Sequence, residues 1–275
     1  MIEIDTGTPE LLCRIEDRVG VITLNKPHKK NALGDILTPA LRRTLATLEE
    51  DDRVGCVMIT GAGDSFCSGG DIGGMSDKDM DSGPLSHQDV VADLVQKQVT
   101  LTLRLHELSK VTLAALPGAA AGAGFSIALA CDLRVVSSNA FVTTAFRNIG
   151  LSGDYGASWF LPRLIGLAKA KELFYSADRI GADEGHRLGI FNKIFPQESF
   201  RDDALAYAAR IANGPTNALV RMKINLNAGT GQSLRDSLVL EAENMLASIK
   251  DAEAKEAISA FMEKRAPSFH SHKTT

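Results

Sequence analysis

Apolar and polar positions alternate from Leu11 to Leu24, "LLCRIEDRVGVITL", and the alternation breaks at "EDR". A period of two on either side of a charged turn predicts a two-stranded hairpin. "KPHKKNALG" then reads as a polar loop. "DILTPALRRTLATLEED" carries apolar residues at helical spacing, with Pro39 near its first turn. Three short apolar runs follow: "VGCVMITG", "VTLAALPG" from Val111 and "DLRVVSS" from Asp132. Each has the length of a buried strand, and helical patterns over Asp89–Leu108 and Gly124–Ala130 separate them. Strand–helix alternation of this kind predicts an α/β core with parallel strands.

Past Leu161 the pattern becomes helical. "AKAKELFYSADRI", "DDALAYAARIAN", "NALVRMKINLNAG", "SLRDSLVLEAENMLASI" and "AEAKEAISAFMEKR" all read as helices, with "GIFNKIF" a strand among them. The chain is therefore expected to divide into an α/β region over 1–200 and a helical region over 201–275. The second region is too small for a comfortable core of its own. It is expected to pack on the α/β body or on another subunit. The stretch Gly73–His87, rich in glycine, aspartate and serine, reads as a flexible loop at a site or on the surface.

Composition narrows the function class. Of 275 residues, 44% are hydrophobic and 23% charged, and the net charge is −4. That profile fits a soluble globular protein and argues against nucleic-acid binding. No apolar run has the length of a membrane span. The first residues, "MIEIDTGTPE", do not read as a signal peptide, nor as an Arg-rich transit peptide. Four cysteines, Cys13, Cys56, Cys67 and Cys131, lie far apart with no metal or redox spacing. They point to a reducing, cytoplasmic setting and to no bound metal.

Two glycine-rich stretches follow predicted strands: "MITGAGDSFCSGGDI" and "ALPGAAAGAGFSIALACD". Each delivers small residues to a strand end, and the second then opens a helix. Free backbone N–H groups at such turns can bind a developing negative oxygen. Taken singly, either stretch fits a tight turn and close helix packing. A dinucleotide fingerprint fails, because Ile127 stands where "GAGFSI" would need its last glycine and no acid follows at the ribose position. A phosphate-binding P-loop is excluded by the absence of "GK[ST]".

Together these segments resemble the crotonase (enoyl-CoA hydratase/isomerase) superfamily. "SFCSGGDI" is similar to its first signature, FCAGADI, and "GAAAGAGFSIALACDLRV" to its second. "NKPHKKNAL", "LPRLIGLAKAKELFYSADRIGADEGHRLGIFNKI" and "AFMEKRAPSF" match further family segments in order, so the resemblance spans about residues 10 to 270. It implies an α/β fold of the crotonase-like ββα-spiral type with a helical C-terminal region used for trimer assembly. It implies an acyl-CoA substrate whose coenzyme A is carried in, with no further cofactor. The oligomer implied is a trimer or a dimer of trimers.

By motif position the resemblance makes the backbone N–H groups of Gly70 and Ala123 the donors to the thioester oxygen. It places Ser68 and Ile72, with His28 and Lys29 of the N-terminal loop, on coenzyme A. The loop cations also fit a solvated surface. Phe261 and Lys264 resemble residues that reach coenzyme A, often from a neighbouring subunit; Phe261 also fits a helix core. Asp71 is grouped with the coenzyme A contacts, although fixing the turn suits it better than chemistry.

The departures are informative. Hydratases of the family use two glutamates, and this chain has Ser126 and Phe146 at those positions. Phenylalanine cannot transfer a proton, and serine is a poor base without a helper. Ser126 either orients water or substrate, or is a small packed helix residue. In "GLSGDYG", Asp154 stands where isomerases of the family carry a single proton-shuttling carboxylate, with Gly153 where proline is common. Aspartate is also a preferred helix cap, and a helix is expected from about Tyr155. His87, Tyr155, His106 and His186 are weaker candidates, and no nucleophile motif accompanies the histidines. The expectation is a double-bond isomerase using Gly70, Ala123 and Asp154. Hydration or hydrolysis with water held by Ser126 and Asp154, and acyl-CoA binding without turnover, are the alternatives.

Overall fold

The computed structural model describes residues 1–71 and 86–270. The predicted hairpin is present as β2 (Leu11–Glu16) and β3 (Val19–Leu24), joined at Asp17 and Arg18, both at positive φ. Paired positive-φ residues twist a two-residue turn to match the strands it joins. A short β1 (Ile2–Ile4) pairs with β2, and from β3 onward the sheet is parallel. It runs through β4 (Cys56–Gly61), β6 (Val111–Leu116), β8 (Leu133–Ser137) and β11 (Lys193–Phe195), in the order β1-β2-β3-β4-β6-β8-β11.

A second, smaller sheet was not legible in the pattern. It is made of β5 (Ser65–Cys67), β7 (Ala119–Ala121), β9 (Phe141–Thr143) and β10 (Ile180–Gly181), in the order β10-β9-β7-β5. Helix α1 (Leu37–Glu50) covers the large sheet through Leu41, Leu45 and Leu48, all fully buried. Helix α2 (His87–Gln98) runs on through a π-helical segment, Val99–Leu103, and a last α-helical turn, Arg104–Glu107.

Both faces of the large sheet are covered, and side-chain alternation assigns the layers. Val57 and Ile59 of β4 join the main core, while Cys56 and Met58 face the other way. There they meet Phe200, Ala204, Ala208 and Ala212 of α7 (Phe200–Ala212), the first helix past residue 200. The next, α8 (Thr216–Gly229), is tied to the body by Lys223. Its buried ammonium donates to Asp132 Oδ2 at 2.9 Å and to the carbonyls of Leu105 and Lys110. Helices α9 (Leu234–Lys250) and α10 (Ala252–Met262) complete the C-terminal region.

Helix α3 (Ala123–Ala130) lies between the two sheets, and every one of its residues is buried. A Cβ on Gly124 would stand 2.4 Å from the Cys67 carbonyl oxygen, so only glycine lets α3 meet β5. Beyond its C-terminus the buried Arg134 guanidinium donates to the Cys131 carbonyl at 2.7 Å, next to those of Ala128 and Leu129. A cation there complements the helix dipole. All four cysteines are free and buried. Burial pushes the thiols of Cys13, Cys67 and Cys131 up to about 12, and that of Cys56 upward as well. Among the described residues no helix is long and apolar enough to cross a membrane, and no cluster of acidic, His or Cys side chains is arranged to hold a metal.

Candidate active site

The first glycine-rich stretch is stitched onto the N-terminal loop. Leu33 donates to the Gly69 carbonyl and Asp71 donates to the Leu33 carbonyl, both at 2.7 Å. This isolated parallel bridge turns the Gly70 N–H away from Leu33. That N–H has no partner among the described residues, and the space a Gly70 side chain would fill is empty. Ala123 opens α3, so its N–H is one of the orphan donors of a helix N-terminus. The two segments are neighbours: a Cβ on Gly69 would lie 3.6 Å from the Ala123 nitrogen. Two unpaired donors thus stand at adjoining strand and helix ends.

Asp154 lies across a phenylalanine from this pair. Phe146 is 7% exposed and stacks on Phe174, with ring centroids 6.3 Å apart. One edge of the Phe146 ring is 3.6 Å from the Cβ point of Gly122, the residue before Ala123. The other edge is 3.5 Å from the Cβ point of Gly153, the residue before Asp154. Gly153 has φ +107°, a conformation closed to proline, whose φ is held near −65°.

The cap expectation for Asp154 fails. Helix α4 (Ala157–Ile165) begins two residues later than Tyr155, Gly156 occupies its cap position, and no side chain caps it. Only the Asp154 backbone carbonyl takes part, accepting from Ala157 N at 3.5 Å. The Asp154 Oδ1 is buried with no hydrogen-bond partner among the described residues. Burial raises this carboxyl to about 6, and no cation among the described residues offsets it. A half-buried carboxyl with one oxygen sealed off and unpartnered, its pKa raised toward neutrality, is suited to taking and returning a proton.

Ser126 is fully buried, and its hydroxyl donates to the Gly122 carbonyl of its own helix at 3.1 Å. That bond is the packed-helix role, and it leaves the hydroxyl turned toward backbone. Asp71 is held by two ammonium groups, Lys29 at 2.8 Å and Lys26 at 3.0 Å, both on Oδ2. Hydrogen bonds from Lys29 and then Lys26 hold its carboxyl below the usual range. Ser68 is exposed, its N–H donates to the Lys30 carbonyl and its hydroxyl to that of Lys29. His28 and Lys29 are exposed on a short turn, Pro27–Lys29. Lys29, Ser68 and Asp71 therefore share one rim beside Gly70, with His28 on the turn that carries Lys29. Lys26, absent from the sequence candidates, belongs there too.

Ile72 and most of the Gly73–His87 stretch lie outside the described residues. His87 is exposed in the first turn of α2. His106 packs edge-on to Trp159 and Phe160, and burial lowers its pKa. His186 Nδ1 meets the Phe191 carbonyl at 2.9 Å. Phe261 and Lys264, at the end of α10, are exposed and make no hydrogen bond, ion pair or ring contact with the rim among the described residues.

A strand-end and helix-end donor pair with a nearby near-neutral carboxyl defines a class: proteins that can hold an oxyanion while a proton moves. The sequence profile for enoyl-CoA hydratase/isomerase matches residues 14–272. The chain is 32% identical over 260 residues to the 1,2-epoxyphenylacetyl-CoA isomerase of Escherichia coli K12, covering 94% of this chain and 97% of that protein. It is 30% identical over 251 residues to 4-chlorobenzoyl coenzyme A dehalogenase-1 of an Arthrobacter species, covering 90% and 88%. Its fold is similar to the crystal structure of an enoyl-CoA hydratase from Polaromonas sp. JS666, with a TM-score of 0.85, 32% identity and coverage of 94% and 99%. The chain belongs to the enoyl-CoA hydratase/isomerase family and has the crotonase fold.

Proposed function

We propose that this protein is an acyl-CoA double-bond isomerase. The observation that carries the reading is the half-buried Asp154 carboxyl, its Oδ1 sealed off without a partner among the described residues and its pKa raised to about 6, beside positions where Ser126 and Phe146 replace two glutamates. In the proposed reaction the N–H groups of Gly70 and Ala123 hold the thioester oxygen as it becomes an enolate oxygen. Asp154 takes the proton from C2 of a 3-enoyl thioester, the double bond moves to C2–C3, and the same carboxyl returns the proton to C4. One base and one anion hole suffice, so coenzyme A carried by the substrate is the only cofactor required.

Hydration is the competing reading, since similar proteins carry both isomerase and hydratase names. The bond from Ser126 to Gly122 weighs against it, because the buried hydroxyl gives its proton to its own helix. The rim of His28, Lys29, Ser68 and Asp71 is assigned to coenzyme A. The exposed apolar faces of α9 and α10 support assembly into a homo-oligomer, in which Phe261 and Lys264 would meet a neighbour. The four free, buried thiols accord with a cytoplasmic setting.

The test is incubation with 3-enoyl- and 2-enoyl-CoA thioesters in deuterated water, with products read by mass. Isomerisation with label exchange that is lost in Asp154→Asn is expected. Addition of the mass of water would replace this reading with hydration, and binding without either change would replace it with a non-catalytic role.

A further inference from the structure

No hydrogen bond holds the Asp154 Oδ1 among the described residues, so the loop backbone, rather than a side-chain partner, sets where this carboxyl stands. That backbone is unusual. Gly153 has φ +107°, Tyr155 +51° and Gly156 +83°, so three of four successive residues lie in the left-handed region. A tyrosine stays in that region only where its surroundings hold it there. The loop also does little to hold itself. From Ser152 to Gly156, the Tyr155 N–H is the only backbone N–H with a protein acceptor among the described residues. A backbone of this kind keeps one shape only when it is pinned from outside.

The pin is Gln98. Its Oε1 accepts from the Tyr155 N–H at 3.2 Å, across 57 positions of sequence. A backbone N–H needs an acceptor, so the oxygen of the amide, and not its nitrogen, faces the loop. Gln98 is half-buried and is the last residue of α2, and the π-helical segment begins at the next residue. Segments of this kind recur at functional sites. The same segment meets the loop a second time, where the Thr102 methyl lies 3.3 Å from the Cβ point of Gly156. At the other end of Tyr155, burial raises the phenol and the Arg42 guanidinium of α1 pulls it down. Tyr155 is thus bonded at its N–H by Gln98 and flanked at its phenol by Arg42, and Asp154 is the residue attached to it.

We propose that Gln98 is a positioning residue for Asp154: its bond to the Tyr155 N–H holds the loop in the shape that keeps the Asp154 carboxyl half-buried and in place for proton transfer. This inference rests on the isomerase reading, in which Asp154 is the base. Gln98 acts through the Tyr155 peptide and needs no contact with substrate. A base misplaced by about 1 Å loses on the order of 10²-fold in rate. Without the bond the loop relaxes, water reaches the carboxyl, and its pKa falls from about 6 toward the ordinary value. The charged side chains that act on Tyr155 are Arg42 of α1, Asp154 itself and Lys97 of α2, and a neutral substitution at Gln98 leaves all three in place.

The test compares three variants of the full-length protein on a 3-enoyl-CoA. Gln98→Met keeps the length of the side chain and removes the strong acceptor. It is expected to lower kcat about 10–100-fold, with KM within about twofold, and to move the midpoint of the pH–rate profile to lower pH. Gln98→Asn, one methylene too short to reach, is expected to do the same, so the series stays decisive if methionine disturbs the packing. Gln98→Glu, which can still accept from the Tyr155 N–H, is expected to keep kcat within about threefold of native. A kcat within twofold of native in both neutral variants overturns the proposal. So does a kcat loss shared equally by Gln98→Glu, or a loss that falls on KM instead of kcat. Carboxyl-carbon NMR of the aspartate-labelled protein follows the Asp154 titration without substrate. An Asp154 midpoint unmoved in the neutral variants overturns the positioning role, whatever the reaction. A native protein that isomerises no 3-enoyl-CoA overturns the isomerase reading, and the NMR titration then still decides whether Gln98 holds the carboxyl.

Discussion

The edge of the Phe146 ring lies 3.5 Å from the point where a side chain on Gly153 would begin. Its opposite edge backs Gly122, so one aromatic ring sets the spacing between the helix start at Ala123 and the loop of Asp154. Phe146→Ala is expected to cost about 3–5 kcal/mol of stability. It should also lower kcat, because the base loses its backing. Urea denaturation and steady-state kinetics check this, and unchanged values for both would sink the spacer role. Gly153→Pro, although it restores a common family residue, is expected to cost about 1–3 kcal/mol, since the loop needs φ +107°.

Asp154 sets activity and stability against each other. Its folded pKa of about 6 lies above the unfolded carboxylate value of about 3.9. The native state holds this proton more tightly, so this group's contribution to stability is fully present below about pH 4 and is lost as pH rises through about 6. Above that, an unpaired carboxylate stays partly buried. Asp154→Asn is therefore expected to raise stability at pH 7–8 by on the order of 1–2 kcal/mol, after discounting for the part of the group that reaches solvent. That gain should vanish below about pH 4. Activity runs the other way: kcat/KM should rise through about pH 6, and the asparagine variant should lose about 10²–10⁴-fold. Melting curves and pH–rate profiles measured on the same two proteins decide it.

Asp71 ties the rim together through Lys29 and Lys26. Its two lysines favour the charged carboxyl, so the stabilisation is present above the ordinary carboxylate pKa and is lost as pH falls below it. Asp71→Asn is expected to release Lys29 and raise KM for a CoA thioester on the order of 3–10-fold, with kcat within about twofold. A fall in kcat that matches the change in kcat/KM would place Asp71 in the reaction itself.

The C-terminal helices present an unusual surface for a lone chain. Leu238, Met245, Leu246 and Ile249 of α9, with Ile258 and Phe261 of α10, are each more than half exposed. Exposed apolar side chains gathered on two consecutive helices mark an interaction face. Sedimentation is expected to find an oligomer of this chain, and the double variant Leu238→Asp, Leu246→Asp is expected to shift it toward monomer. A native protein that sediments as a monomer at micromolar concentration would remove the assembly proposal.

What could be read from the chain depended on how local each determinant is. The hairpin around Asp17 and the strands of the large sheet announce themselves by period and length. Strands of two or three residues carry no period at all, and "AAA" at Ala119–Ala121 is a strand only because β5 and β9 flank it. The donor pair was legible through its glycine-rich motifs, since backbone donors leave a mark in the need for small residues. Asp154 looked like a cap because "GDYGAS" does not encode the positive φ of Tyr155 and Gly156, which delays the helix. The pairing of Lys26 with Asp71 spans 45 positions, and no spacing rule reaches that far.

The four buried cysteines give the protein an internal clock for its own opening. Alkylation needs a thiolate, and thiols raised this far in pKa supply almost none while the fold is closed. A thiol reagent added to the native protein would then count opening events rather than surface encounters. Cys13, Cys56 and Cys67 sit on β2, β4 and β5, and Cys131 follows α3, so the two sheets and the helix between them are all sampled. Equal labelling at the four sites would mean that the α/β body opens as one unit. Early labelling of Cys13 alone would mean that it peels from the β1 edge.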